Sequence, residues 1–349
     1  MDFLEFEKPL IEIEKNIAQL KEKALKEKID FSETIGRLEK EVQEKKRLLY
    51  QDLSPDQRLK IARHPNRPNM LDYLNLAFTD FVELHGDRYF GDDPAIVGGL
   101  ARINSLNVVI LGQQKGRDTK EKLFRNFGMA HPEGYRKALR LMQMAERFHL
   151  PIVCLIDTSG AYPGISAEER GQSSAIAVNL REMMNLRTPI ICIVIGEGGS
   201  GGALGIGVGD KIFMFEHSYY SVISPEGCSA ILWKNSEQAA VMEAARALKM
   251  TARDLLGFGI IDGIVEEPLG GAHRDSQASA SSMKKIILAS LEELSHFGAK
   301  ELLKRRYEKY RQIGAYHKAA SAHNEASSRK PASVKASSPS PVNSETAKK

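Results

Sequence analysis

The sequence predicts an α/β protein with parallel strand pairing behind a helical N-terminal extension. Three observations lead there. From about Ala95 onward, apolar runs of strand length alternate with helix-length segments. Two of those runs, 152–156 and 190–195, end in glycine-bearing turns ahead of a helix. The first fifty residues are different in kind: charged, helix-prone and free of Gly and Pro between Ile11 and Ile35, apart from the segment preceding them.

In chain order, Leu4, Ile11, Ile13, Ile17, Leu20 and Leu25 form an imperfect apolar stripe, and Leu38, Val42 and Leu49 suggest a second helix. The heptad is not sustained, so two amphipathic helices packed on a body or a partner are expected rather than a long coiled coil. Arg63-His64-Pro65-Asn66-Arg67-Pro68 breaks the pattern and marks a boundary. A short helix is expected near 71–82, strands near 95–103 and 107–113, and a helix near 133–148 leading into strand 152–156. Helix 167–186 then leads into strand 190–195. Shorter strands follow near 211–215 and 220–223, then helices near 225–233, 237–248, 251–257, 276–294 and 300–310. The expected organisation is a helical extension over 1–67, one main domain over 68–318 and a tail over 319–349. The tail is rich in Ser, Ala, Pro and Lys, and is expected to be disordered because it holds too little apolar surface to offset ordering.

Charge and cysteine content narrow the class of function. Five cations and two anions from Ala319 onward supply three of the four net positive charges, so the body is near neutral and offers no nucleic-acid face. Cys154 and Cys192 sit in apolar strands, Cys228 follows a proline-glycine turn, and no C-x-x-C pair occurs. No metal is therefore expected in this chain. Buried free thiols, the absence of a signal-peptide pattern and the lack of a membrane-length apolar run lead to the expectation of a cytoplasmic protein.

The candidate site is the turn Gly196-Glu197-Gly198-Gly199-Ser200-Gly201-Gly202-Ala203. Glycine lets backbone N–H groups approach another molecule closely, and several N–H groups at a helix start favour negative charge. Strand 152–156 ends with the same grammar, Asp157-Thr158-Ser159-Gly160-Ala161-Tyr162-Pro163-Gly164, and consecutive βαβ units place both turns at one sheet edge.

Three readings of the second turn compete. Gly196 to Gly201 fits G-x-G-x-x-G with Glu216 twenty residues on, a dinucleotide fingerprint, but the segment that should form the crossover helix carries Gly205, Gly207 and Gly209. Gly198 to Gly202 fits G-x-S-x-G with Ser200 as nucleophile and Asp262 and His273 as the only marked partners. The third reading is an oxyanion hole of backbone N–H groups for a developing enolate-type oxygen. A P-loop is excluded because no Gly-Lys-Ser/Thr occurs.

Further stretches carry a resemblance. They are 59–67 with His64-Pro65, Gly112-Gln113-Gln114-Lys115-Gly116-Arg117, Arg125-Asn126-Phe127-Gly128-Met129 and Pro132-Glu133-Gly134-Tyr135-Arg136-Lys137-Ala138. They continue through 157–164, Glu168-Glu169-Arg170-Gly171-Gln172, 196–203, 220–228 and Glu267-Pro268-Leu269-Gly270-Gly271-Ala272-His273-Arg274. From about Phe3 to Tyr316 the chain resembles the α-subunit family of the bacterial-type acetyl-coenzyme A carboxylase carboxyltransferase. Ser159 stands where that family is expected to have proline, which leaves the turn less stiff in the unfolded state without removing an N–H.

The resemblance implies a crotonase-type fold of ββα repeats. It implies an α2β2 carboxyltransferase that takes the carboxyl group of carboxybiotin on a biotin carboxyl carrier protein, made there by a biotin carboxylase. The group passes to acetyl-coenzyme A, giving malonyl-coenzyme A for fatty-acid synthesis. Departure of the carboxyl group leaves negative charge on the ureido oxygen, and donors aimed at that oxygen act where charge develops. By resemblance these donors are the N–H groups of Gly201 and Gly202, with Gly198, Gly199 and Ser200 beside them and Gly160 and Ala161 shaping the biotin pocket. The biotin nitrogen itself takes the methyl proton, so no side-chain base is needed. The β subunit is expected to carry the enolate site and a zinc.

Glu197 is expected as a charge at a helix N-terminus. Arg117, Arg125 and Lys137 are expected to be solvated or in inter-subunit ion pairs rather than on coenzyme A phosphates. Glu168, Glu169 and Arg170 are expected as a helix first turn with local charge pairing. The rivals are a non-catalytic scaffold subunit, a stand-alone crotonase-like acyl-coenzyme A enzyme and the Ser200 hydrolase.

Overall fold

The structure, a computed structural model, describes residues 4–27, 29–234 and 236–314. The tail expected over 319–349 lies outside the described residues. Two long helices open the chain, α1 (Lys8–Glu27) and α2 (Ser32–Gln51). They pair through Leu10, Ile17, Val42 and Tyr50, which are buried, and through Lys46–Glu14 and Lys21–Glu39 contacts of 2.8 Å each. α3 (Pro55–Ala62) and α4 (Met70–Ala77) each start on a capping box. Ser54 N donates to Gln57 and Asn69 N to Asp72, which satisfies helix-start donors locally.

The expected helix over 71–82 is corrected here. It ends at Ala77, and β1 (Thr79–Glu83) follows as an edge strand antiparallel to β2 (Ile96–Ile103). β3 (Leu106–Gln113) returns beside β2 through a two-residue hairpin whose Asn104 takes φ +52°. α5 (Thr119–Phe124) and α6 (Pro132–Arg147) lead to β4 (Ile152–Thr158). The helix expected over 167–186 is two helices, α7 (Ile165–Glu169) and α8 (Gln172–Asn185), broken at Gly171 with φ +81°.

β5 (Ile190–Gly199) runs into α9 (Ser200–Leu204), and β6 (Lys211–Phe215) and β7 (Tyr219–Ser221) follow. Next come α10 (Pro225–Leu232), α11 (Gln238–Ala247), α12 (Ala252–Gly257), the short strand β8 (Gly263–Val265), α13 (Ser276–Ser295) and α14 (Ala299–Gln312).

The sheet order is β1-β2-β3-β4-β5-β6-β8, antiparallel through β3 and parallel from β3 onward. The central strands are buried on both faces, which is why their sequences are continuous apolar runs. Val109, Leu111, Ile152, Cys154, Ile156, Cys192 and Val194 face Tyr135, Leu141, Met142 and Met183 of α6 and α8. The alternate residues Ile110, Val153, Leu155, Ile191, Ile193 and Ile195 face Met70 and Tyr73 of α4 and Met283 and Ile287 of α13.

β5 forks. Its first half pairs with β6 over Ile191 to Val194, and its far end, Glu197 to Gly199, pairs with β7. In chain order β2 and β3 are followed by α5 and α6, and β6 and β7 by α10, and the architecture is the mixed α/β crotonase fold.

α14 closes the sheet from below β5. Arg306, fully buried, donates all five N–H groups: to both oxygens of Asp210, at 2.8 and 2.7 Å, and to the carbonyls of Met183, Leu186 and Thr188. The described residues up to Ile313 form one compact unit.

Candidate active site

The parallel pairing of β4 and β5 brings the two glycine-bearing segments together at the carboxyl ends of adjacent strands, as the sequence pattern predicts. The details differ from a pair of simple turns. Gly196, Glu197, Gly198 and Gly199 are strand residues, with Glu197, Gly198 and Gly199 paired to Tyr219, Tyr220 and Ser221. The chain reverses only at Ser200, which takes φ +50°.

Packing explains which glycines are required. A Cβ on Gly199 would lie 2.1 Å from the Ser159 carbonyl oxygen, and one on Gly202 would lie 2.3 Å from the carbonyl carbon of Gly160 and 2.6 Å from Ala161 N. The two segments are therefore in backbone-to-backbone contact. Gly201 is different: a Cβ there would meet only Ile176, at 3.5 Å, an ordinary contact. Around Gly160 a Cβ would meet nothing within 4 Å. Thr158 Oγ1 donates to Gly160 O at 2.6 Å and holds the first turn.

α9 starts without a side-chain cap, so the N–H groups of its first turn, at Ser200, Gly201 and Gly202, are not taken by a capping side chain. Ser200 and Gly201 border an open cleft of about 400 Å³ whose other walls include Leu204, Tyr220, Val222, Leu255 and Phe258. Among the described residues, no histidine or carboxylate lines it.

Beneath this edge lies a buried charge network that sequence reasoning missed. Glu197 is a strand residue in an ion-pair hub, which corrects its expected place at a helix N-terminus. It accepts from Arg63 Nε at 2.6 Å, from Tyr219 Oη at 2.7 Å and from Lys115 Nζ. Burial raises its pKa, but the Lys115 and Arg63 charges outweigh this and hold it at about 2. Lys115 also reaches Asp157 at 2.8 Å, and Asp157 accepts from Glu197 N at 2.9 Å, which ties the end of β4 to that of β5. The only sequence signal for this hub is the Gln113-Gln114-Lys115 polar run directly after an apolar strand.

The other expected site residues fall as follows. Arg117 pairs with Asp72, Arg125 donates to Pro94 O and stacks on Phe124, and the buried Lys137 donates to Asp92 and to Asp93 O. These contacts are intrachain rather than inter-subunit, and Lys137 is buried rather than solvated. Arg170 does not pair locally: it caps α7 and reaches Glu133 on α6, because Gly171 ends the helix there.

The Ser200 triad is not assembled. Asp262 is taken by Ile212 N and Lys309, and His273 stacks on His64 with ring centroids 4.1 Å apart. The dinucleotide reading also fails, because α9 is a five-residue helix rather than a crossover helix. Among the described residues, no three His, Cys, Asp or Glu side chains group as metal ligands. No helix among them is long and apolar enough to cross a membrane.

Residues 3–314 match the family described as "Acetyl co-enzyme A carboxylase carboxyltransferase-like". Curated relatives include the acetyl-coenzyme A carboxylase carboxyl transferase subunit alpha of Methylococcus capsulatus, 55% identical over 92% of this chain and 99% of the relative. That of Fusobacterium nucleatum is 54% identical over 90% of this chain and 100% of the relative. That of a Geobacillus strain is 56% identical over 90% and 96%. Among solved structures, transcarboxylase 12S with hydrolysed methylmalonyl-coenzyme A bound superposes with a TM-score of 0.55 at 18% identity, over 70% of this chain and 46% of that chain. A second transcarboxylase 12S structure gives 0.54 at 18% identity over 66% and 42%.

Proposed function

The chain belongs to the acetyl-coenzyme A carboxylase carboxyltransferase family, and from that premise we propose that it is the alpha half of a two-subunit enzyme carboxylating acetyl-coenzyme A. The product is malonyl-coenzyme A for fatty-acid synthesis, and the reacting edge in this chain is where β5 meets α9.

The observation that carries the site assignment is the uncapped start of α9 on a nearly apolar cleft. A neutral heterocycle with one oxygen that becomes charged during reaction suits these walls. A permanently charged phosphate would find Lys249 as the sole cationic side chain among the described residues lining the cleft. Biotin, carried by a partner protein, would supply the carboxyl group and accept the resulting negative charge on its ureido oxygen. The N–H groups of Gly201 and Gly202 donate to that oxygen more strongly as charge develops, each worth roughly 3–4 kcal/mol in the transition state.

Gly160 and Ala161 lie in backbone contact with Gly202, beside rather than on the lining of the cleft, and open space around Gly160 would leave room for the ring. Gly198, Gly199 and Ser200 set the backbone path that presents the donors. No side chain here acts as acid or base, in keeping with a cleft that has no His, Asp or Glu among its described lining residues.

We assign the enolate site and the zinc to a beta subunit in an α2β2 assembly, with a biotin carboxyl carrier protein and a biotin carboxylase completing the system. Support for the beta partner is the alpha-subunit identity of the relatives. The proposed compartment is the cytoplasm, where the three buried free thiols would stay reduced.

The deciding experiment is malonyl-coenzyme A-dependent carboxylation of free biotin, with this chain alone and with its beta partner. Activity only in the mixture is expected. Activity of this chain alone would overturn the half-site reading in favour of a complete crotonase-like site. Gly201→Pro, which deletes one N–H at a first-turn position where proline is tolerated, should abolish turnover in a complex that still assembles.

A further inference from the structure

A biotin ring that carries a carboxyl group brings one full negative charge into the cleft at Gly201, and an anion taken out of water without a partner is costly. Under the reading above, on which this inference rests, the Gly201 and Gly202 N–H groups serve the ureido oxygen. The carboxylate needs a cation of its own.

Among the described residues lining the cleft, Lys249 is the one charged side chain. Ser200, Tyr220 and Ser221 contribute only hydroxyls. The other cations near this edge are spent on acids: Lys115 on Asp157 and Glu197, and Arg63 on Glu197 and Glu226. Lys249 is exposed, and its ammonium group has no carboxylate partner among the described residues. One unpaired cation on otherwise uncharged walls matches a ligand with one negative charge.

The backbone fixes where this cation stands. Lys249 follows Leu248, the residue that caps α11, and takes φ +48°, the left-handed position at which glycine is the default helix stop. A long side chain is therefore kept where none is needed to end the helix. The next residue, Met250, accepts from Tyr220 N at 3.1 Å, which pins this stop against β7 and beside the Tyr220 wall.

We propose that Lys249 binds the carboxylate of the loaded biotin group and so makes the cleft select the loaded carrier over the unloaded one. Transfer moves this charge without adding a second. When the bond between ring nitrogen and carboxyl carbon breaks, its electron pair stays in the ring, and the charge passes to the oxygen served by Gly201 and Gly202. Lys249 thus sets affinity, and the N–H groups set rate. Once the ring has taken the methyl proton, Lys249 has no anion to hold and the unloaded group leaves.

Two measurements on the complex assembled with the beta partner test this, at fixed ionic strength. The first is equilibrium binding of two stable biotinamides, one with a carboxymethyl group on the ring nitrogen and the other its neutral methyl ester. The wild type should favour the anion at least fivefold. Lys249→Gln and Lys249→Gly should lose that preference, and Lys249→Arg should keep it. Glycine suits the left-handed position better than lysine, so a preference that survives in Lys249→Gly would make the residue a helix stop and overturn the proposal.

The second is turnover at saturating coenzyme A thioester. Lys249→Gln should raise KM for the carboxylated carrier at least fivefold with kcat unchanged. In the reverse direction it should lower kcat by the same factor and leave KM for the uncarboxylated carrier unchanged, because the overall equilibrium is fixed. Equal rises in both KM values, or a fall confined to forward kcat, would overturn the proposal. A wild-type complex that transfers no carboxyl group overturns the carboxyltransferase reading and this proposal together. One that turns over but shows no preference for the anion overturns the Lys249 assignment alone.

Discussion

Gln113 and Gly202 are bonded across the reaction edge. The Nε2 of Gln113, at the end of β3, donates to Gly202 O at 3.1 Å, while its Oε1 accepts from Asp157 N at 3.1 Å. One fully buried amide therefore fixes the end of β4 against the start of α9. Gln113→Leu should leave Asp157 N unpaired and Gly202 O with only the long 3.5 Å contact from Tyr135 Oη, at about 1–3 kcal/mol for the unpaired group. In the assembled enzyme kcat should fall at least tenfold with little change in KM for malonyl-coenzyme A. A loss confined to KM would mean that Gln113 does not position the α9 donors.

Alanine should discriminate between neighbouring glycines. At Gly201 the new methyl meets only Ile176, so stability should change by no more than about 1 kcal/mol and activity should persist, since the N–H remains. At Gly202 the methyl lands on the Gly160–Ala161 backbone, so the edge must open. Paired urea unfolding and turnover measurements on the two variants check this, and equal behaviour would contradict the packing described.

Acid should loosen the edge within a defined window. Glu197 and Glu267 both have folded pKa values of about 2, because Lys115 and Arg63 in one case and Arg67 in the other outweigh burial. A depressed carboxylate pKa contributes stability that is complete above the ordinary value of 4.5 and is lost as pH falls toward 2. Urea midpoints should therefore begin to fall below about pH 6.5, where the unfolded chain protonates His217 and His273 whose folded pKa values burial lowers to about 4 and about 3, and fall more steeply below about pH 4.5. Glu197→Gln should flatten part of that fall and lower stability at neutral pH by a few kcal/mol, on the order of the charge-pair losses seen when one buried partner is removed.

Arg306→Met should be among the most damaging substitutions far from the reaction edge. It leaves Asp210 buried without a cation and three carbonyls without donors, a loss of about 3–5 kcal/mol. Chemical unfolding of the variant measures this directly.

The apolar runs at 152–156 and 190–195 made the centre of the sheet legible, because strands buried on both faces need no polar alternation. The extension of β5 through Gly199 was not legible. Glycine reads locally as a turn, and what keeps these residues extended is pairing with β7, twenty-two residues downstream of Glu197 at Tyr219. β1 was hidden because its five residues continue a helical apolar spacing, and the antiparallel partner that overrides it is β2. Gly201 and Gly202 stood out by composition, and the structure puts them at the start of one uncapped helix. Lys115, Arg63 and Gln113 did not stand out, since their partners lie between 42 and 163 positions away.

The bond between Arg306 and Asp210 also orders events at the ribosome. The two residues are separated by 96 positions, so at ordinary elongation rates Asp210 emerges roughly 5–20 s before its guanidinium exists. During that interval the nascent β5–β6 layer carries an unanswered acid at its base and cannot settle. Completion of the centre of the sheet is thus deferred to nearly the last helix synthesised, and a chain that terminates early is left with its defect in the middle of the molecule rather than at its end.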